Sequence, residues 1–109
     1  MPHPRISIHS CLSSSHISTS ALGIYVGYGD NLLISDNTIH TEGQGILASG
    51  NNLLISGNTI HTENQGISAN YAYSSIVSGN TLEVTATTEY AIYMQNCDYC
   101  EFSLNTIEN

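Results

Sequence analysis

The stretch "NLLISDNTIHTEGQGI" (residues 31–46) returns almost intact at 52–67 as "NLLISGNTIHTENQGI". Two shorter echoes follow, "SSIVSGNTLEV" from Ser74 and "CEFSLNTIEN" from Cys100. Self-similarity at a fixed period is the mark of a repeat architecture, so the period decides the fold. Asn37, Asn58, Asn80 and Asn105 each precede Thr and then Ile or Leu, at spacings of 21, 22 and 25 residues. A weaker copy, "CLSSSHISTSALGIYVGYGD" at 11–30, puts Leu12 and Ile17 one period before Ile34 and Ile39.

One distance is constant in every copy. Leu12–Ile17, Ile34–Ile39, Ile55–Ile60, Val77–Leu82 and Phe102–Ile107 are all five residues apart. The next gap is seven residues at Ile17–Ile24, Ile39–Ile46 and Ile60–Ile67, and ten at Leu82–Ile92. Length changes are confined to one loop, while one bend is held rigid. Apolar residues alternate at Leu32 and Ile34, Leu53 and Ile55, Ile46 and Ala48, Ile67 and Ala69, and Ile92 and Met94. A period of two over short runs means strands with one buried face.

Three short strands per copy of about 22 residues cannot close a core alone, whereas stacked copies can. The sequence therefore predicts an all-β solenoid of about 4–5 rungs, spaced roughly 4.8 Å apart. A helix is disfavoured by β-branched residues at the periodic positions and by the lack of a 3.6-residue period. An antiparallel meander does not require a constant period. Each rung would set one asparagine at the rigid bend, so Asn37, Asn58, Asn80 and Asn105 would stack as an internal ladder. Asp36, Gly57 and Gly79 precede them and tolerate the left-handed backbone of a tight bend; Leu104 does not fit that rule.

"NNLLISGNTIHTENQGI" resembles the repeat of right-handed parallel β-helix proteins, the pectate-lyase-like superfamily, and especially the repeats of NosD-like proteins. The resemblance covers roughly residues 11–109 and is specific for architecture rather than activity. It implies an extracellular, periplasmic or virion-surface setting. Members of the fold include polysaccharide lyases, glycoside hydrolases and phage tailspikes. Lyase chemistry implies an Arg or Lys beside acidic calcium ligands, yet the only basic residue is Arg5. The aspartates Asp30, Asp36 and Asp98 are too scattered for the pair that polygalacturonases imply.

Composition narrows the partners. One Lys or Arg stands against 9 acidic residues, a net charge of −8, which excludes nucleic acid and anionic membrane surfaces as partners. Naked polyuronate would need a bridging cation. The opening "MPHPRISIHSCLSSS" carries no h-region of a signal peptide and no run reaches membrane-span length. Residues 1–10 read as a partial N-terminal rung and 11–109 as the repeats, with no capping helix. The expectation is a segment of a longer solenoid, or one whose open ends meet another copy.

Four outward columns carry candidate functions. Leu33, Leu54 and Ile76 form an apolar stripe suited to self-association, unless a flattened corner buries it. Tyr25 and Tyr93, in a column with Leu47 and Ser68, offer aromatic faces to a glycan, with Tyr28, Tyr71, Tyr73 and Tyr90 nearby. The threonines Thr38, Thr59, Thr81 and Thr106 lack the second threonine of an ice-binding rank. The twin "HTE" at 40–42 and 61–63 puts His40 over His61 and Glu42 over Glu63, with Glu83 beside His61. Such a set forms a candidate site for Zn²⁺, Cu²⁺ or Ca²⁺. One-rung spacing of Glu42 and Glu63 is also near that of a retaining glycosidase pair. Duplication of the rung alone equally explains the recurrence.

Cys11 lies four rungs, roughly 19 Å, from Cys97 and Cys100, beyond disulfide reach. Cys97-Asp-Tyr-Cys100 is a lone CxxC, too little for zinc by itself. Two readings stand: Cys100 in the inward column of Leu32 and Leu53 with Cys97 at a corner, or a local disulfide. The functional expectation is a non-catalytic segment binding polysaccharide or glycan. Its alternatives are part of a lyase or hydrolase whose catalytic residues lie elsewhere, and a structural stalk or spike.

Overall fold

The computed structural model of the chain describes residues 11–85 and 91–108. The expected partial rung at 1–10 lies outside them, as do Tyr90 and Asn109. Among the described residues every regular element is a strand. The first turn holds β1 (Cys11–Ser13), β2 (His16–Thr19) and β3 (Ile24–Asp30), and the second β4 (Leu33–Ser35), β5 (Thr38–Thr41) and β6 (Ile46–Asn51). The third holds β7 (Leu54–Ser56), β8 (Thr59–Thr62) and β9 (Ile67–Tyr73), and the fourth β10 (Ile76–Ser78), β11 (Thr81–Val84) and β12 (Ile92–Gln95). Two further strands, β13 (Glu101–Ser103) and β14 (Thr106–Glu108), begin a fifth.

Strands stack by turn into three parallel sheets, in the orders β1-β4-β7-β10-β13, β2-β5-β8-β11-β14 and β3-β6-β9-β12. The register follows the repeat: Ile34 faces Ile55, Ile39 faces Ile60 and Ile46 faces Ile67. This is a parallel β-solenoid, as the period requires.

Alternation turns one side chain in two inward, and like stacks on like. Ile34, Ile55 and Val77 form one buried column, Ile39, Ile60 and Leu82 a second, and Ile24, Ile46 and Ile67 a third. Each buried aliphatic side chain contributes about 1.5–3 kcal/mol relative to exposure. The core is narrow because the corners are tight. At Gly45, an added Cβ would lie 2.5 Å from the carbonyl oxygen of Gly66 and 2.6 Å from Ile60 Cγ2.

Left-handed residues flank the sheet of β1, β4, β7, β10 and β13, two on each turn from the second to the fifth and one after β1. One precedes the asparagine bend: Ser14, Asp36, Gly57, Gly79 and Leu104 have φ of 57°, 56°, 67°, 70° and 59°. Leu104 thus adopts the bend although its side chain disfavours it. The other was not read from the sequence: Asn31, Asn52, Ser74 and Tyr99, with φ of 54–58°.

The asparagine ladder is complete. Nδ2 of Asn37, Asn58 and Asn80 donates to Oδ1 of Asn58, Asn80 and Asn105, each at 2.9 Å. Each Oδ1 also accepts the backbone N–H at the same bend one turn earlier, from Ser15, Asn37, Asn58 and Asn80, at 3.0 Å. The second amide hydrogen goes to a backbone carbonyl of the preceding turn, Ile34 in the case of Asn58. Among the described residues no buried side-chain amide is left unpaired, so the ladder stabilises the bend without an uncompensated desolvation cost.

Candidate functional site

The histidines and glutamates of the twin motif lie on β5, β8 and β11 and the corners after them. Register places His40 beside His61 and His61 beside Glu83. Since Ile39 and Ile60 point inward, these side chains point out, and the next residues, Thr41 and Thr62, point in and are buried. Those threonines build the corner. Thr41 Oγ1 accepts the N–H of Gly43 at 3.0 Å and donates to the carbonyl of Ala21. Thr62 accepts the N–H of Asn64 at 2.9 Å and donates to the carbonyl of Gly43. A stacked amide pair, Gln44 Nε2 to Gln65 Oε1 at 3.1 Å, continues the same corner. Glu42 and Glu63, between strand and corner, are left facing solvent.

The imidazoles stack. The rings of His40 and His61 have centroids 4.5 Å apart and planes 21° from parallel, within the range of favourable ring pairs. His16 extends the stack more loosely, 6.4 Å from His40, because Ser18 rather than His16 occupies the position in register with His40. The sequence reading missed His16. Its only signal was proximity to Ile17 in the weak first copy. At the other end, His61 Nδ1 meets Glu83 Oε1 at 2.8 Å. Both side chains are about two-fifths exposed, 41% and 42%, so this pair is worth at most about 1 kcal/mol.

The stacked His40 and His61, with Glu42 and Glu63, border an open groove of about 320 Å³ that crosses the turns. Ser18 and Thr19 line its first turn, His40, Thr41 and Glu42 the second, His61, Thr62 and Glu63 the third, and Thr85 the fourth. Among the described residues no group of three or more His, Cys, Asp or Glu converges in metal-holding geometry. The reason lies in the stack: nearly parallel rings set their nitrogens side by side rather than aiming them at one point. A cation held by His40, Glu42, His61, Glu63 and Glu83 would need at least one ring to swing out.

The tyrosine candidates are spread rather than gathered. Tyr25, Leu47, Ser68 and Tyr93 share a register column, which leaves Tyr25 and Tyr93 at opposite ends, both half-buried. Ser68, expected outward, is buried at 5% exposure, its small side chain lying between Leu47 and Tyr93. Tyr71 sits at a left-handed bulge with φ of 55°, and Tyr73 pairs with Asp98 through an isolated bridge. On the sheet of β4, β7 and β10, Leu33, Leu54 and Ile76 align. Leu54 and Ile76 are exposed and Leu33 is half-buried, so no flattened corner covers the stripe.

Cys97 and Cys100 are free thiols, both half-buried against the core. Burial pushes the Cys100 thiol pKa up, opposed by a backbone hydrogen bond at Ser75 and reinforced by Cys97 beside it.

The family model for a right-handed beta helix region matches residues 7–109. No curated protein and no solved structure matches the chain.

Proposed function

We propose, from the premise that the chain belongs to the right-handed beta helix family, that it is a non-catalytic repeat segment binding a carbohydrate chain along its groove. The observation that carries this reading is recurrence: His-Thr-Glu on successive turns lines one groove that crosses the turns. A polymer of repeating units meets the same donors and acceptors at each step. Carboxylates of Glu42 and Glu63 accept hydrogen bonds from sugar hydroxyls, and imidazole edges donate or accept. The net charge of −8 favours neutral glycans over uronates.

Exposure of Glu42 and Glu63 leaves both side chains open to the hydroxyls of a chain lying in the groove. The reading is tested on a glycan array followed by titration of the best neutral polysaccharide. Binding at least tenfold weaker in the Glu42→Gln, Glu63→Gln double variant is expected. Equal affinity in the variant, or no neutral glycan bound, overturns it.

The exposed Leu54 and Ile76 favour a second reading, a structural stalk or spike that associates with its own copies through the apolar stripe.

A further inference from the structure

The corner that carries Cys97 and Cys100 repeats on every turn. Register aligns Gly29 with Gly50 and Gly50 with Ala72, and the Tyr73–Asp98 bridge then sets Cys97 over Ala72. Leu32, Leu53, Ser75 and Cys100 form the companion column, because the residues after them pair in register. On each turn two inward positions three residues apart thus face each other across one left-handed residue. Their closeness is measurable on the first turn, where a Cβ added to Gly29 would lie 2.6 Å from Leu32 Cδ1.

Three turns accommodate this with a small residue at the first position. The fourth carries a thiol at both. Cys97 Sγ lies 3.6 Å from the carbonyl oxygen of Ala69 and Cys100 Sγ 3.0 Å from that of Ala72, both on β9. Neither is sealed from solvent. Ala72 and Ser75 beneath them are small and buried.

We infer that Cys97 and Cys100 form a reversible dithiol–disulfide pair, a modification site for low-molecular-weight disulfides. One thiolate attacks a sulfur of the small disulfide, forming a mixed disulfide and releasing one small thiol. The second cysteine, as thiolate, attacks the protein-side sulfur of that mixed disulfide, closes the Cys97–Cys100 bond and expels the second small thiol. In net terms the protein gives up two electrons and two protons, and the small disulfide takes them as two thiols. The closed bond spans the left-handed Tyr99, φ 58°, and fastens the corner between β12 and β13. Since the folded corner holds the two thiols in side-chain contact and the unfolded chain meets that arrangement only transiently, folding favours the oxidised form.

The test equilibrates the intact protein in glutathione redox buffers, folded and in concentrated urea, followed by acid quenching, alkylation and peptide mass mapping. A Cys97–Cys100 linked peptide is expected. Its ratio to the dithiol form should be at least tenfold higher in the folded protein, a shift of about 30 mV in reduction potential. An equal ratio in folded and unfolded chains overturns the inference. So does a glutathione adduct as the stable end product, or the failure of the folded protein to react.

Discussion

Asn58 hands its amide hydrogen to Asn80 Oδ1 at 2.9 Å, while its own Oδ1 receives both the side-chain and backbone N–H of Asn37. Asn58 is fully buried, so its replacement by alanine strands the side-chain and backbone N–H of Asn37, with no water to replace the lost oxygen. Asn58→Ala should destabilise by about 1–3 kcal/mol in urea unfolding. Asn105 is only half-buried, and solvent reaches the groups it would leave. Asn105→Ala should cost clearly less; equal costs would mean that the ladder does not carry the bend.

The left-handed bends supply a paired test. Leu104 has φ of 59° and is 85% exposed, so it holds a disfavoured backbone for no packing return. Leu104→Gly should stabilise by about 0.5–1 kcal/mol, the relief of left-handed strain less the added freedom of the unfolded chain. At Gly57, φ is 67° and an added Cβ would meet Asp36 Oδ1 at 2.5 Å. Gly57→Ala should destabilise by about 1–2 kcal/mol. Thermal melts of the two variants should therefore move in opposite directions.

Much of the scaffold was legible because one feature, the Asn-Thr-Ile spacing, fixes both bend and register. Once Asn37 lies over Asn58, every inward column from Ile34 to Ile46 follows. The second set of left-handed residues was not legible as a column. Asn31 and Asn52 are types that adopt that backbone readily, but Ser74 and Tyr99 follow no composition rule and yield to the stacking of neighbouring turns. Candidate sites were legible only as columns. His40 over His61 was legible in this way, whereas the approach of His16 from outside the register, and that Ser68 is covered while Leu54 is not, depend on the side chains of the adjacent turn.

Leu54 and Ile76, 38% and 41% exposed, lie in register on adjacent strands. If this stripe joins copies of the chain, Leu54→Ser with Ile76→Ser should lower the association seen by sedimentation at high protein concentration. The circular dichroism spectrum should stay that of β structure, since both side chains point away from the core. Unchanged association would assign any self-contact to another surface.

Alkaline pH reads the burial of Cys100. Desolvation by burial is the main cause that raises its thiol pKa in the folded protein, with neighbouring Cys97 and Asp98 adding to it. The unfolded chain has no such burial, so on raising pH its Cys100 loses the proton first. The stabilising contribution is therefore complete below the ordinary thiol value of about 8.5 and is lost as pH climbs through the raised folded value. The side chain is only partly buried, so solvent screens the effect and the fall should be shallow. Urea unfolding under reducing conditions should show wild-type stability declining from neutral to alkaline pH. The same series on Cys100→Ser should decline less, since serine has no proton to lose in this range. Parallel pH profiles for the two proteins would mean that the thiol is as well solvated in the folded chain as in the unfolded one.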